Sequence, residues 1–207
     1  HCPACKARWA REVGGEMPPM IDWKDERWRL FQQKRCEWMG EFAQWATATL
    51  HKYKPGAAVE HQYSTIAQSW MRGVTENMAL ASTYSGGDLY GGIEAQSFSC
   101  KLYYNCTENQ PFEYMTSRCH PALSEHTTTK SEDLLRQSAM MTYLHHGAFL
   151  LIDAIDPVGT MDRRVYERIG KIFRETEPYE KYLSTGRQVY DVALYCDLHG
   201  KFNIEAA

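Results

Sequence analysis

The sequence predicts an α/β fold of parallel strands joined by helices. Three observations carry this. Short apolar runs of strand length alternate with longer stretches of helical periodicity. Each run leads into a polar or glycine-rich loop. The unit recurs four times in series, and parallel neighbours need crossover connections of this kind.

The first element is a loop with a short helix inside it, over residues 1–20, holding Cys2-x-x-Cys5, Gly14-Gly15 and Pro18-Pro19. Asp25 stands before a long helix. Its stripe of Trp28, Phe31, Cys36, Trp38, Met39, Phe42, Trp45, Ala46 and Leu50 recurs at three- and four-residue steps. Lys54-Pro55-Gly56 ends it. The four units follow. Residues 57–63 read as a strand, with Ser64 capping a helix to about residue 74. Residues 78–84 read as a strand, with a glycine-rich loop and a helix over about 94–105. Residues 111–117 are the third strand, and Ser131 caps the helix that runs to residue 144. Residues 148–153 are the fourth and most apolar strand, with a helix over about 162–175 that Pro178 breaks. Residues 188–195 read as a fresh strand after a Ser184-Thr185-Gly186 linker.

Four units make half of a (β/α)8 TIM barrel, which typically needs about 250 residues. The expectation is therefore the C-terminal half of such a barrel over residues 1–183, then the start of a second α/β domain over 184–207. The alternative is an open doubly wound sheet, but no G-x-G-x-x-G follows a strand, and the glycine pairs around Asp88 lack the P-loop lysine. The sequence opens at His1 without an apolar leader and ends just after a new strand, so it reads as part of a longer protein.

Composition narrows the function. Hydrophobic residues are 43% and charged residues 24%, which is globular. The net charge is −3, from 23 basic and 26 acidic residues, with no long run of either sign. Neither a nucleic-acid partner nor polybasic membrane attachment is expected. No apolar run approaches the roughly 18 residues of a spanning helix. Seven cysteines are an odd count for a disulfide framework, and most read as buried thiols.

Several strings carry a resemblance: Ser85-Gly86-Gly87-Asp88-Leu89-Tyr90-Gly91-Gly92, Phe112-Glu113-Tyr114-Met115-Thr116-Ser117-Arg118-Cys119, Phe149-Leu150-Leu151-Ile152-Asp153-Ala154-Ile155-Asp156-Pro157 and Glu177-Pro178-Tyr179-Glu180. The chain resembles bacterial barrel glycoside hydrolases of the α-L-fucosidase-like group. The segment from Val189 to Tyr195 is similar to the opening of the domain after their barrel, which is related to the trimerisation domain of some β-galactosidases. The resemblance implies retaining, exo-acting hydrolysis of a glycosidic bond, a carbohydrate substrate and a homo-oligomeric whole protein. It also implies a nucleophilic Asp preceding His1, and an acid/base after the strand over 78–84.

That chemistry needs two carboxyl groups, one of them protonated near neutral pH. Asp88, between two Gly-Gly pairs, and Glu94, at the next helix start, are the candidate acids. Their plain structural readings are a turn aspartate and a carboxylate compensating a helix dipole. His61, Tyr84, Glu113, Arg118 and Asp153 are the candidate substrate residues. Glu113 shares a strand face with Met115 and Ser117, opposite Phe112, Tyr114 and Thr116. Alternation lets either His61 or the pair Glu60 and Gln62 face the site, and His61 is preferred. Trp70 reads as core. Asp156, before Pro157, reads as a turn residue. Cys2-x-x-Cys5 lacks the four ligands of a complete zinc site, so neither metal nor cofactor is expected. A non-catalytic carbohydrate-binding barrel and a metal-dependent hydrolase are the alternatives.

Overall fold

The computed structural model describes residues 2–62, 70–121, 123–154, 157–183 and 186–197. The chain is α/β. Two helices, α1 (Pro3–Glu12) and α2 (Glu26–Tyr53), precede a β-α-β-α-β-α run of β1 (Gly86–Asp88), α3 (Ile93–Cys106), β2 (Glu113–Ser117), α4 (Glu132–Leu144), β3 (Ala148–Ile152) and α5 (Arg163–Thr176). A short α6 (Glu180–Leu183) follows. The three strands are parallel, in the order β1-β2-β3, with Gly86 opposite Glu113 and Glu113 opposite Ala148.

Local chemistry sets the helix starts. The Asp25 side chain accepts the Arg27 N–H at 2.8 Å at the head of α2. Ser131 does the same for Leu134 at 3.2 Å before α4, and Asp162 for Arg164 at 3.0 Å before α5. Each satisfies an amide that the first turn leaves without a partner.

The sheet has two unlike faces. Tyr114 and Phe149 turn toward the helices and stack with ring centroids 6.2 Å apart. Cys100 and Tyr103 of α3, Leu135 and Ala139 of α4, and Ile172 of α5 complete this core. Arg136 binds Glu175, and Lys171 binds Glu132, which locks α4 against α5. The other face carries Gly86, Asp88, Glu113, Met115, Ser117, Ala148, Leu150 and Ile152, because side chains alternate along a strand. Leu150, midway along β3, is 37% exposed there. Parallel sheets normally bury both faces; here Met115 and Ser117 of this second face are buried, and it opens to solvent at Leu150.

A second cluster surrounds Trp9, Met17, Trp23, Trp28 and Phe31, with Trp70 half-buried against it. Trp70 meets Trp23 edge to face at 5.0 Å. These rings fasten α1 and the following loop to the start of α2. Farther along, α2 crosses the 3-10 turn over Glu76–Ala81. Gly40 makes this crossing possible, since a Cβ there would lie 2.7 Å from Asn77 Cβ. Phe42 and Trp45, on the expected apolar stripe, are exposed.

Three of the expected strands differ. Residues 57–62 form no strand, although Thr83 N–H donates to Val59 O at 2.6 Å and His61 N–H to Ser82 Oγ at 3.2 Å. Tyr63 and the helix expected from Ser64 lie outside the described residues as far as position 69. Residues 76–81 are a 3-10 helix, not a strand. Thr75 caps it by accepting from Asn77 N–H, and Glu76 occupies its first turn. The strand instead forms at Gly86–Asp88, inside the expected loop. Gly86 permits it, because a Cβ there would meet Glu113 Cβ at 2.8 Å. Residues 188–195 form no strand: they bend at Asp191 and line a cleft beside α3, with Val189, Val192, Leu194 and Tyr195 exposed. High β-propensity makes no strand where no ladder partner is supplied. Ser184, Thr185 and residues 198–207 of the expected second domain lie outside the described residues. The strands over 113–117 and 148–152 and the helices after each of the three strands stand as expected.

Candidate functional site

The C-terminal ends of the three strands share one edge. Asp88 ends β1, Arg118 follows β2 and Asp153 follows β3. Arg118 Nε donates to Asp153 Oδ1 at 2.5 Å, and both side chains are buried. Arg118 Nη1 also donates to Thr128 O at 2.7 Å and Thr129 Oγ1 at 3.2 Å. Asp153 Oδ1 accepts the Ala154 N–H at 2.7 Å. This pair ties the β2 and β3 loops together. Each group is thus engaged by the other and by the neighbouring loop.

The sheet face of Asp88 and Glu113 carries the titratable cluster. Glu60 and Gln62 arrive on the segment beside residues 82–84. Gln62 Nε2 donates to Asp88 Oδ2 at 3.2 Å. Glu60 Oε1 is shielded from water with no hydrogen-bond partner among the described residues. It reaches the space that Gly86 leaves empty, 3.4 Å from where a Cβ would stand, and Glu113 borders the same space. Burial raises the Glu60 carboxyl to about 7, and the nearby charges of Glu113 and Asp88 add to the shift. Burial raises Glu113 as well. Burial also raises Asp88, against the opposing hydrogen bond from Gln62. Tyr84 completes the group. Burial raises its hydroxyl, with Glu113 and Glu60 contributing. The result is a set of carboxyl groups in which Glu60, raised to about 7, exchanges its proton near neutral pH.

The structure joins Asp88, Tyr84 and Glu113 in this cluster. It places Arg118 and Asp153 as an ion pair on the same sheet edge. It does not bring in Glu94, which sits exposed in the first turn of α3. Glu94 instead lines a cleft of about 910 Å³ between α3 and residues 190–196, with Phe98, Leu102, Met141 and Leu194. His61 also turns away. Its Nε2 lies 2.8 Å from Thr47 Oγ1, which itself donates to Ala81 O, so the ring faces α2. Burial lowers its pKa. The alternation is therefore resolved in favour of Glu60 and Gln62, against the expected His61. Asp156 lies outside the described residues.

Sequence reasoning misses Lys130. It is buried before α4, donates from Nζ to Thr116 Oγ1 at 2.8 Å, and holds Nζ 5.4 Å from the centre of the Tyr90 ring. Burial lowers its ammonium pKa. Only a lone lysine in a polar loop marks it in the sequence.

Among the described residues, no three His, Cys, Asp or Glu side chains converge as a metal site. No helix among them is long and apolar enough to cross a membrane. No known family, characterised protein or solved structure matches the chain.

Proposed function

We propose that the chain forms the carboxylate-bearing part of a glycoside hydrolase, with the described βα units belonging to a (β/α)8 barrel whose interior is the sheet face of Asp88 and Glu113. The observation that carries the reading is Glu60, a buried carboxyl raised to about 7 that reaches the sheet beside Glu113 and Asp88. Glycosidic cleavage needs such an acid to protonate the leaving oxygen, and a second, ionised carboxylate to attack carbon or activate water. Glu60 takes the acid role expected from sequence of Asp88 or Glu94. Asp88, steadied by the Gln62 amide, takes the ionised role. Glu113 raises the proton affinity of Glu60, and Tyr84 offers a ring and hydroxyl to the sugar. The carboxylates of the other reading, a binding-only barrel, would be under no requirement to hold different protonation states.

The test is hydrolysis of a panel of aryl and alkyl glycosides by the protein and two variants. Glu60→Gln should lose alkyl glycosides, whose leaving groups need protonation, far more than nitrophenyl glycosides, whose leaving groups do not. Asp88→Asn should lose both. Silence across the panel, or a Glu60→Gln variant as active as the parent on alkyl glycosides, overturns the proposal.

A further inference from the structure

Outside the sheet, two thiols stand together at the head of α1. Cys2 is the N-cap and Cys5 lies one turn on, and their sulfurs are 3.2 Å apart. Cys5 N–H donates to Cys2 Sγ at 3.4 Å. Pro3 follows the cap, where its missing N–H costs nothing and its fixed φ suits the first turn. The two sulfurs differ in setting. Cys2 is exposed, whereas Cys5 is partly buried and packs against the Trp9 cluster. No third metal-ligating side chain joins them among the described residues.

We propose that Cys2 and Cys5 are a redox-active dithiol that exchanges with low-molecular-weight disulfides. Cys2 is the attacking thiol and Cys5 the resolving one. Hydrogen bonds from the Cys5 amide and thiol lower the Cys2 pKa, and the helix N-terminus favours the anion. Holding that anion keeps the Cys5 proton in place, and its pKa is raised. The step balances. The Cys2 thiolate attacks one sulfur of the external disulfide, an S–S bond forms, and one thiolate leaves. Cys5 then gives its proton to water and attacks Cys2 Sγ, expelling the second thiolate. The protein loses two protons and two electrons, and the external disulfide gains them as two thiols. The sulfurs need to approach by about 1 Å to reach disulfide length.

The experiment treats the reduced protein with oxidised glutathione at neutral pH and maps the cysteines by mass. The peptide holding Cys2 and Cys5 should lose the mass of two hydrogens and keep no glutathione, reversibly on adding dithiothreitol. Exposed Cys196 serves as the internal reference and should keep its adduct. A Cys5→Ser variant should accumulate the glutathione adduct on Cys2, several-fold above the parent. Tryptophan emission should change on oxidation of the parent and stay unchanged in Cys5→Ser, because Cys5 touches the ring cluster. A pair that stays reduced overturns the proposal. So does a parent that retains the Cys2 adduct as fully as Cys5→Ser does.

Discussion

Arg118 and Asp153, thirty-five positions apart, meet at 2.5 Å where two neighbouring parallel strands end. The contact is buried on both sides. It fixes the spacing of the β2 and β3 loops, and hence the shape of the edge on which Asp88 also stands.

Breaking that pair from one side should be costly. Among the described residues, Asp153→Ala leaves the buried guanidinium only Thr128 and Thr129 as acceptors. A loss of about 3 kcal/mol is expected, because an unpaired charge stays in the interior. Urea melts of the variant check it. A change below about 0.5 kcal/mol would show that the loops relax and let water reach Arg118.

Glu60 should make stability depend on pH. Its folded pKa, about 7, lies above the unfolded carboxylate value, so the folded chain binds more protons between the two. Stability from this group is therefore full below the unfolded value and falls as pH rises through about 7. Glu60→Gln removes the penalty. The variant should match the parent near pH 4 and exceed it at pH 8 by about 1–3 kcal/mol, a range already reduced for partial solvent screening. Thermal melts at both pH values measure it, and an equal shift at the two would exclude Glu60 titration as the cause.

Gly86→Ala should damage both the sheet and the carboxylate cluster. The added methyl would meet Glu113 Cβ at 2.8 Å and the Glu113 carbonyl at 3.1 Å. The backbone oxygen cannot swing aside as a side chain can. A cost of about 1–3 kcal/mol follows from overpacking, and the Glu60 titration should shift with it. Denaturation together with carboxyl titration by NMR separates the two effects.

Trp9 should dominate the attachment of α1. It is fully buried and meets Phe31 edge to face at 6.1 Å. Trp9→Ala should cost about 3–5 kcal/mol. Hydrogen exchange should then rise over α1 while the core under β2 and β3 keeps its protection.

The titratable cluster is half legible in the chain. Asp88, Glu113 and Tyr84 stand out as carboxylates and a ring near strand ends. Glu60 and Gln62 do not, because alternation offers two faces and gives no sign of which is inward. His61 is the more familiar choice, and the Thr47 hydroxyl on α2, fourteen positions away, draws it off. Glu94 looks like a neighbour of Asp88 in the chain, but the turn into α3 carries it to the outer cleft.

By itself the sequence determined the βα rhythm after position 93. There apolar periodicity, Ser131 and Asp162 as caps, and the runs over 113–117 and 148–152 each act within a few residues, so local chemistry suffices. Tertiary structure alone decided β1 and the raised pKa of Glu60. A strand of Gly86, Gly87 and Asp88 has almost no side-chain signal and exists only because β2 lies alongside it. A carboxyl raised to about 7 exists only because distant segments exclude water from it and bring Glu113 and Asp88 within reach. Ladder pairing and desolvation are both properties of neighbours in space, which spacing along the chain does not record.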